Sequence, residues 1–180
     1  LEENLVKGRY LHTLGVVETA KDLAKRYGVD IKKAEIAALA HDIAKNLSSE
    51  QLLKIIEANN ITLSVDEKNT RELWHSIVGP IVARERFGIV DEEILSAIRW
   101  HTTGKENMSK LDKIIYLADM IEPSRDFSMV EELRNDSKDD LDKAMLNALT
   151  YTIKYLLEKG CLIDVNTVKA RNYLLYNNYK

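Results

Sequence analysis

Residues 37–45 of this 180-residue chain are Ala37-Ala38-Leu39-Ala40-His41-Asp42-Ile43-Ala44-Lys45. The alanines predict a helix that neighbouring helices can approach closely. A histidine beside an aspartate in such an apolar helix is costly unless something compensates the buried polar groups. A metal ion is the simplest compensation, and it would need further ligands from elsewhere in the chain.

The composition is that of an ordinary globular protein. Hydrophobic residues make up 45% and charged residues 31% of the chain, which is typical of such proteins. A chain of this length predicts one domain, residues 1–180, with a core that needs no cross-links. The net charge of −3 provides no basic excess for a phosphate backbone, which argues against a dedicated DNA- or RNA-binding protein.

The number of cysteines and the lengths of the apolar runs indicate the cellular compartment of the protein. Cys161 is the only cysteine, so we expect neither a disulfide framework nor a multi-thiolate metal site. No apolar run reaches the length of a membrane helix, and the N-terminus lacks the apolar region of a signal peptide. A cytoplasmic protein without a membrane partner is the expectation.

Apolar residues recur at three- and four-residue spacing along most of the chain, while strict alternation is almost absent. This pattern predicts an all-α fold of about eight to ten helices. The expected helices begin after the caps Asp30, Ser48, Asp91 and Ser109. Their approximate ranges are residues 3–27, 31–45, 49–58, 66–75, a segment ending at Gly88 that either starts or kinks at Gly79-Pro80, 92–101, 110–122, 138–159 and 168–177.

Two glycines flank His12 on one face of the first predicted helix. They are Gly8 and Gly15, four residues before and three residues after the histidine. Glycine inside a helix costs about 1 kcal/mol relative to alanine. Their presence predicts that another part of the chain packs tightly against this face.

Each of the four histidines lies on a different predicted helix: His12, His41, His75 and His101. A single histidine of this kind is more often a core residue satisfied by a hydrogen bond. Four of them, together with Asp42 and Asp119, favour a metal centre built from several helices. Imidazole and carboxylate ligands suit iron, manganese, zinc or magnesium. A site with open positions can acidify a water and polarise a phosphoryl oxygen.

An ordered set of residues resembles the H…HD…D signature of the HD-domain phosphohydrolase superfamily. The set comprises His12, the adjacent His41-Asp42 and the distant Asp119, and Lys45 completes an HDxxK pattern. Longer stretches are similar to the YqeK family of symmetrical bis(5′-nucleosyl)-tetraphosphatases. They are residues 9–12, 41–45, 100–104, 112–119, 122–125 and 170–174. The resemblance implies a single-domain HD-type helical bundle. It also implies a symmetrical bis(5′-nucleosyl)-tetraphosphatase that cleaves diadenosine tetraphosphate to two ADP by means of a metal-activated water.

The resemblance implies a role for individual residues. The metal ligands would be His12, His41, Asp42 and Asp119, with iron as the metal and one or two ions. His75 and His101 would complete a second metal position or bind phosphate, and the implied catalytic residues are Asp42, Lys45, His75 and His101. The implied nucleotide-binding residues are Arg9, Lys45, Asn46, Leu47, Ser48, His75, His101, Thr102, Arg125, Leu162, Ile163, Asp164, Val165, Asn166 and Thr167. The family commonly has a His-Pro pair where this chain has Asp164-Val165.

Several of these residues have an ordinary structural alternative. Lys45 could bind phosphate, or it could be a solvated lysine that interacts with the helix dipole. Arg125 could bind phosphate in bidentate fashion or form a surface ion pair with Asp126 or Glu122. Arg9 could bind phosphate or be solvated.

Two functional alternatives share the same residues. One is a phosphatase or phosphodiesterase that acts on another nucleotide, and the other is a nucleotide-binding HD module without turnover. The expected partners are a nucleotide substrate and an ADP product, with no nucleic acid polymer and no membrane. A homodimer is left open.

Overall fold

A computed structural model describes residues 2–178 of the chain and the side chains of residues 8–177. All regular structure in this range is helical, and it comprises ten α-helices. They are α1 (Glu2–Tyr27), α2 (Ile31–Ala40), α3 (Ser49–Ala58), α4 (Val65–Asn69), α5 (Trp74–Phe87), α6 (Glu92–Trp100), α7 (Lys110–Ile121), α8 (Val130–Asp139), α9 (Leu141–Glu158) and α10 (Val165–Asn178). The all-α prediction and the predicted number of helices are confirmed. Within residues 2–178, no helix is long and apolar enough to cross a membrane.

The main hydrophobic core forms where α1, α2, α6, α7 and α9 pack together. Helix α7 lies at its centre, with Ile114, Ile115, Leu117 and Ala118 fully buried. A smaller second core forms between α3 and α5. The alanines of α2 are buried against these neighbours, as expected of small side chains that permit close helix packing.

Side-chain caps fix the starts of four helices where the sequence predicts them. Asp30 and Asp91 each accept hydrogen bonds from two backbone N–H groups of the following turn. Ser48 and Ser109 each form a reciprocal capping box with the third helical residue. These bonds satisfy backbone donors that have no partner inside the helix.

The chain around α4 and α5 differs from the prediction. The prediction of a single helix from residue 66 to residue 75 is wrong, because α4 ends at Asn69 and Thr70 has non-helical backbone angles (φ −123°, ψ 81°). A 3-10 turn follows at Arg71–Leu73 before α5 begins. Helix α5 continues through Gly79-Pro80 and ends at Gly88, whose φ of 64° is left-handed.

The helix predicted to continue to residue 45 stops at Ala40. The ring Nδ1 of His41 donates to the carbonyl of Ala38 at 2.7 Å. In a continuing α-helix, that carbonyl would accept the N–H of Asp42. Hydrogen bonds between residues three apart carry the chain through the next turns instead. His41 and Asp42 therefore project from a helix end.

The predicted helix at residues 138–159 is two helices in the structure. Asp140 has extended backbone angles and caps α9 with its side chain, and α8 occupies part of the region predicted to be a polar connection. Helix α10 begins three residues earlier than predicted. Asp164 accepts the N–H of Asn166 at 2.8 Å and so fixes this earlier start.

Candidate metal centre and active site

All four histidine rings of the chain lie in one cluster at the meeting point of α1, α2, α5 and α6. The ring centroids of His12 and His41 are 5.6 Å apart, those of His41 and His101 are 5.1 Å apart, and those of His75 and His101 are 5.2 Å apart. His41, His75 and His101 are buried and His12 is partly buried. The helices thus bring together residues that are up to 89 positions apart in the sequence.

Three of the histidines use the same local hydrogen bond. In each, Nδ1 bonds to the backbone carbonyl three residues earlier. The pairs are His41 with Ala38 at 2.7 Å, His75 with Glu72 at 2.6 Å, and His101 with Ile98 at 2.8 Å. Since a carbonyl only accepts, Nδ1 carries the hydrogen and Nε2 keeps a free lone pair. Burial lowers the pKa of His41 to about 4, so this ring is neutral at pH 7.

His12 is held by a distant carboxylate instead. Its Nδ1 lies 3.1 Å from Oε1 of Glu122, a residue with a fully buried side chain just after α7. Its Nε2 lies 3.1 Å from Oδ1 of Asp119. The close contact with the Asp119 carboxylate, opposed by burial and assisted by Glu122, raises the pKa of His12.

Gly15 makes room for Glu122. A Cβ atom at Gly15 would lie 2.6 Å from Oε2 of Glu122, closer than non-bonded atoms approach one another. The predicted tight packing against this face of α1 is confirmed at Gly15. It is wrong at Gly8, where a Cβ atom would meet no other atom within 4 Å.

Asp42 lies between the other groups. Its Oδ1 is 3.2 Å from Nε2 of His75 and 3.5 Å from Nε2 of His101, while its Oδ2 is 3.6 Å from Nε2 of His41. Lys45 donates to the same Oδ2 at 2.7 Å. Burial opposes the charged form, yet the histidine contacts hold the pKa of Asp42 well below its usual range. Asp119 is likewise held in its charged form by His12 and the neighbouring histidines, against the effect of burial.

Several buried acceptor atoms in the cluster lack a donor among the described residues. Nε2 of His12, Nε2 of His41 and Oδ1 of Asp42 make no hydrogen bond. Nε2 of His75 and Nε2 of His101 lie 3.2 Å apart, although Nδ1 carries the hydrogen in both rings. When both rings are neutral, lone pairs that face one another this closely repel, and a metal cation between them would relieve that repulsion. The side chains form two groups that could each hold a metal ion. The first group is His12, His41 and Asp42, and the second is Asp42, His75 and His101.

The model of the HD domain family matches residues 9–124 of the chain. This range includes all four histidines, Asp42 and Asp119. The chain belongs to the HD domain family, and its cluster of histidines and aspartates is a divalent metal-binding site of the kind that these donors form.

Individual relatives match nearly the whole chain. It is 40% identical to the symmetrical bis(5′-nucleosyl)-tetraphosphatase of Bacillus subtilis, over 97% of this chain and 94% of that protein. It is 45% identical to a protein of the same name from Halalkalibacterium halodurans, over 97% and 93%. A crystal structure from Clostridium acetobutylicum, described as a "predicted HD superfamily hydrolase involved in NAD metabolism", superimposes with a TM-score of 0.93 at 45% identity, covering 98% of this chain and 94% of that one.

Two of the three basic residues predicted to bind phosphate lie beside the carboxylates of the cluster. Lys45 contacts Asp42, as described above. Arg125 contacts Asp119 twice, with its Nε donating to the backbone carbonyl at 2.8 Å and its Nη2 donating to Oδ1 at 2.6 Å. It also lies 3.7 Å from Glu122, one of the two ion-pair partners considered from the sequence.

The other predicted residues are more dispersed. Arg9 is exposed on α1, one turn before His12, and Asn46 is also exposed. Leu47 packs against the second hydrophobic core, and Ser48 caps α3. No contact described here joins these four residues to the histidine cluster.

Two adjoining cavities extend from the cluster. The first, of about 290 Å³, is lined by His101, Asp119 and Arg125 and also by Thr102 and Thr152. The second, of about 480 Å³, shares both threonines and reaches the predicted nucleoside segment. That segment lines it with Leu162, Asp164 and Thr167. Oδ2 of Asp164 is buried without a hydrogen-bond partner among the described residues.

Sequence reasoning considered Glu122 only as an ion-pair partner of Arg125. The structure gives it a position behind His12, where it also accepts hydrogen bonds from the N–H and hydroxyl of Ser124. The available signal was its place three residues after Asp119, at the start of the Glu122-Pro123-Ser124-Arg125 stretch. That spacing does not identify His12 as its partner.

Proposed function

We propose that this protein is a metal-dependent hydrolase that cleaves diadenosine tetraphosphate symmetrically into two ADP molecules. The observation that carries the proposal is the set of buried imidazole and carboxylate lone pairs without donors, which a bound metal cation would satisfy together. The substrate comes from the similarity over nearly the full length to proteins named symmetrical bis(5′-nucleosyl)-tetraphosphatase.

His12, His41, Asp42 and Asp119 would hold the first metal ion. His75 and His101 would hold a second ion together with Asp42, whose two oxygens face different histidines. When bound, the metal would acidify a water and neutralise charge on phosphoryl oxygens. Iron is the metal that we propose, because the resemblance to the YqeK family implies it, and mixed imidazole and carboxylate ligands accept it among several metals. Elemental analysis tests its identity and number. If the analysis finds one ion per chain, His75 and His101 would bind phosphate instead of a second ion.

The basic residues would bind the phosphate chain. A tetraphosphate bridge carries several negative charges, and its cleavage needs fixed positive groups around the phosphoryl oxygens. Lys45 contacts the carboxylate of Asp42, and Arg125 contacts the carboxylate of Asp119. The Arg125 guanidinium offers paired N–H donors that suit phosphate geometry. Thr102 lines both the cavity beside Arg125 and the second cavity.

The second cavity would hold a nucleoside. It adjoins the phosphate region through Thr102 and Thr152, so one ligand can occupy both cavities. The unpaired Oδ2 of Asp164 would accept a hydrogen bond from a ribose hydroxyl or a base amino group, because a buried carboxylate oxygen requires a donor. An aspartate can serve this purpose in place of the histidine that the YqeK family commonly has.

The direct test is incubation of metal-loaded protein with diadenosine tetraphosphate, followed by chromatography of the products. ADP as the sole nucleotide product is expected. AMP together with ATP would contradict the symmetrical cut. A nucleotide panel ranked by kcat/KM tests whether another nucleotide is preferred, and binding of ADP without turnover of any panel member would favour a non-catalytic module.

A cytoplasmic location is a further part of the proposal, and the oligomeric state is to be measured. The single cysteine fits a reducing compartment. Light scattering coupled to size-exclusion chromatography measures the oligomeric state directly.

A further inference from the structure

Arg134 lies on α8 and contacts none of the four histidines. Its guanidinium nevertheless makes three hydrogen bonds to one short backbone segment, residues 121–125. Nε donates to the carbonyl of Ile121 at 2.9 Å, and Nη2 donates to the carbonyls of Glu122 at 2.8 Å and Arg125 at 3.0 Å. Its Nη1 pairs with Glu131 on the solvent side. Each guanidinium nitrogen therefore has a partner.

The side chain of Glu122 accepts two hydrogen bonds from Ser124, but the backbone carbonyls of the segment 121–125 have few partners inside the segment. The last carbonyls of a helix lack partners within the helix, and this segment leaves the end of α7 at Pro123, which has no N–H. Within the segment, the N–H of Arg125 donates to the carbonyl of Glu122 at 2.9 Å. The three bonds from Arg134 therefore make a large contribution to its conformation.

This segment presents two side chains to the histidine cluster. Glu122 bonds Nδ1 of His12, and Arg125 bonds Asp119. Arg134 hydrogen-bonds the backbone carbonyls of the same segment. Displacement of the segment would move both inward-facing groups, and with them the ring of His12 and the carboxylate of Asp119.

Helix α8 is itself fixed to the helix that carries His12. The hydroxyl of Tyr27, the last residue of α1, donates to the carbonyl of Ser137 at 2.8 Å. Arg26 donates to the carbonyl of Lys138 at 3.1 Å. The contacts thus form a closed circuit from α1 through α8 and the 121–125 segment back to His12 on α1.

We propose that Arg134 is a positioning residue for the metal centre. It acts through Glu122 to fix the orientation of His12 and through Arg125 to fix Asp119. The inference rests on the proposed function only in treating the cluster as a metal site. Lysine cannot substitute, because one ammonium group lacks the planar array of donors that reaches three carbonyls at once.

The test compares Co²⁺ binding to wild-type protein, Arg134→Lys and Arg134→Gln, followed by the visible absorption of the bound ion. Partners of metal ligands typically contribute about 10–100-fold to metal affinity, so we expect Co²⁺ to bind at least tenfold more weakly to both variants. Glu131→Gln is the matched control, since it removes the outer partner and leaves the guanidinium in place. It should bind within about twofold of wild type. Wild-type affinity and an unchanged spectrum in both Arg134 variants, with only a lower melting temperature, would overturn the proposal.

A second measurement shows whether Arg134 acts through the hydrogen bond from His12 to Glu122. In metal-free protein labelled with ¹⁵N-histidine, the Nδ1–H signal of His12 should shift in Arg134→Lys and stay in place in Glu131→Gln. An unmoved signal would contradict the proposal even if the protein bound no Co²⁺. Neither measurement uses a nucleotide, so failure to cleave diadenosine tetraphosphate would reject the proposed function separately.

Discussion

The two sides of the histidine cluster are built in different ways. On one side, His41, His75 and His101 each bond a carbonyl three residues earlier in their own segment. On the other side, His12 bonds Glu122, which lies 110 residues away. We call these the local side and the long-range side.

The difference separates what helix geometry provides from what the tertiary fold provides. On the local side, ring orientation and the position of the hydrogen follow from the backbone of one turn, so distant substitutions leave them unchanged. On the long-range side, the same properties depend on Gly15, on the segment after α7 and on Arg134. We therefore expect substitutions far from the metal to damage this side alone.

Substitution of Asp42 should have the largest effect, because this residue contacts histidines on the local side and shares a potential metal-binding group with His12. Asp42→Ala should lose metal affinity and hydrolysis together, each by at least about 100-fold, since even partners of ligands contribute about 10–100-fold. Metal content and kcat measure the two losses. Asp22→Ala, which removes an exposed carboxylate on α1, is the control. Retained hydrolysis in Asp42→Ala would reject the site.

Glu122→Gln tests the long-range side specifically. The amide keeps the volume of the side chain but offers His12 a neutral acceptor, and we expect a loss of about 10–100-fold in metal affinity. Glu72→Gln is the matched comparison, because Glu72 holds His75 with its backbone carbonyl. Metal titration of Glu72→Gln should match wild type. Equal losses in both variants would remove the distinction between the two sides.

Gly15→Ala tests the long-range side by changing the packing against Glu122. Its methyl group would lie 2.6 Å from Oε2 of Glu122, and an extra methyl group in a packed site costs about 1–3 kcal/mol. We expect a lower midpoint of urea unfolding together with weaker metal binding. Gly8→Ala on the same helix meets open space and should improve stability slightly through helix propensity. Unaltered metal affinity in Gly15→Ala would show that Glu122 can move without consequence.

The smallest expected effect is a pH dependence that belongs to the local side. In metal-free protein, burial lowers the pKa of His41 to about 4 from an ordinary value of 6.5. The unfolded chain therefore binds the proton more readily, and stability falls as the pH decreases below 6.5. Between pH 6 and pH 5 the expected loss is about 1 kcal/mol.

The contribution of His12 to stability depends on pH in the opposite direction, since the pKa of His12 is raised in the folded protein. Its stabilising contribution is fully present below pH 6.5 and is lost as the pH rises through the folded-state pKa, so it hardly varies between pH 6 and pH 5. Urea unfolding at pH 6 and pH 5 measures the change in the free energy of unfolding between these pH values. His41→Gln should remove most of that change. An equal change in that variant would assign the effect to other groups.

Much of the local side could be predicted from the sequence. The caps at Asp91 and Ser109 follow from local patterns, and the structure confirms them. The early end of α2 could not be predicted in this way, because the hydrogen bond from His41 to Ala38 replaces a helical bond without any change in the apolar pattern. Asp140 was missed for a similar reason, since an apolar pattern passes through the point where it caps α9.

The long-range side was predicted only in part. His12 and Asp119 were identified by their resemblance to a family signature, while the position of Glu122 behind His12 was not. No local pattern connects a glycine on the first helix with a carboxylate after the seventh. Only the three-dimensional packing shows that Gly15, Glu122 and Arg134 belong to one arrangement.

The separation of 110 residues between His12 and Glu122 also has a consequence for biosynthesis. At the usual rate of about 5–20 residues per second, the ribosome needs roughly 5–20 seconds after making His12 before it adds Glu122. By the end of that interval the nascent chain contains Asp42 together with His41, His75 and His101, and each of these three histidines has its local backbone partner. The proposed ligands of the local side would therefore be available to a metal before the segment that orients His12 has emerged.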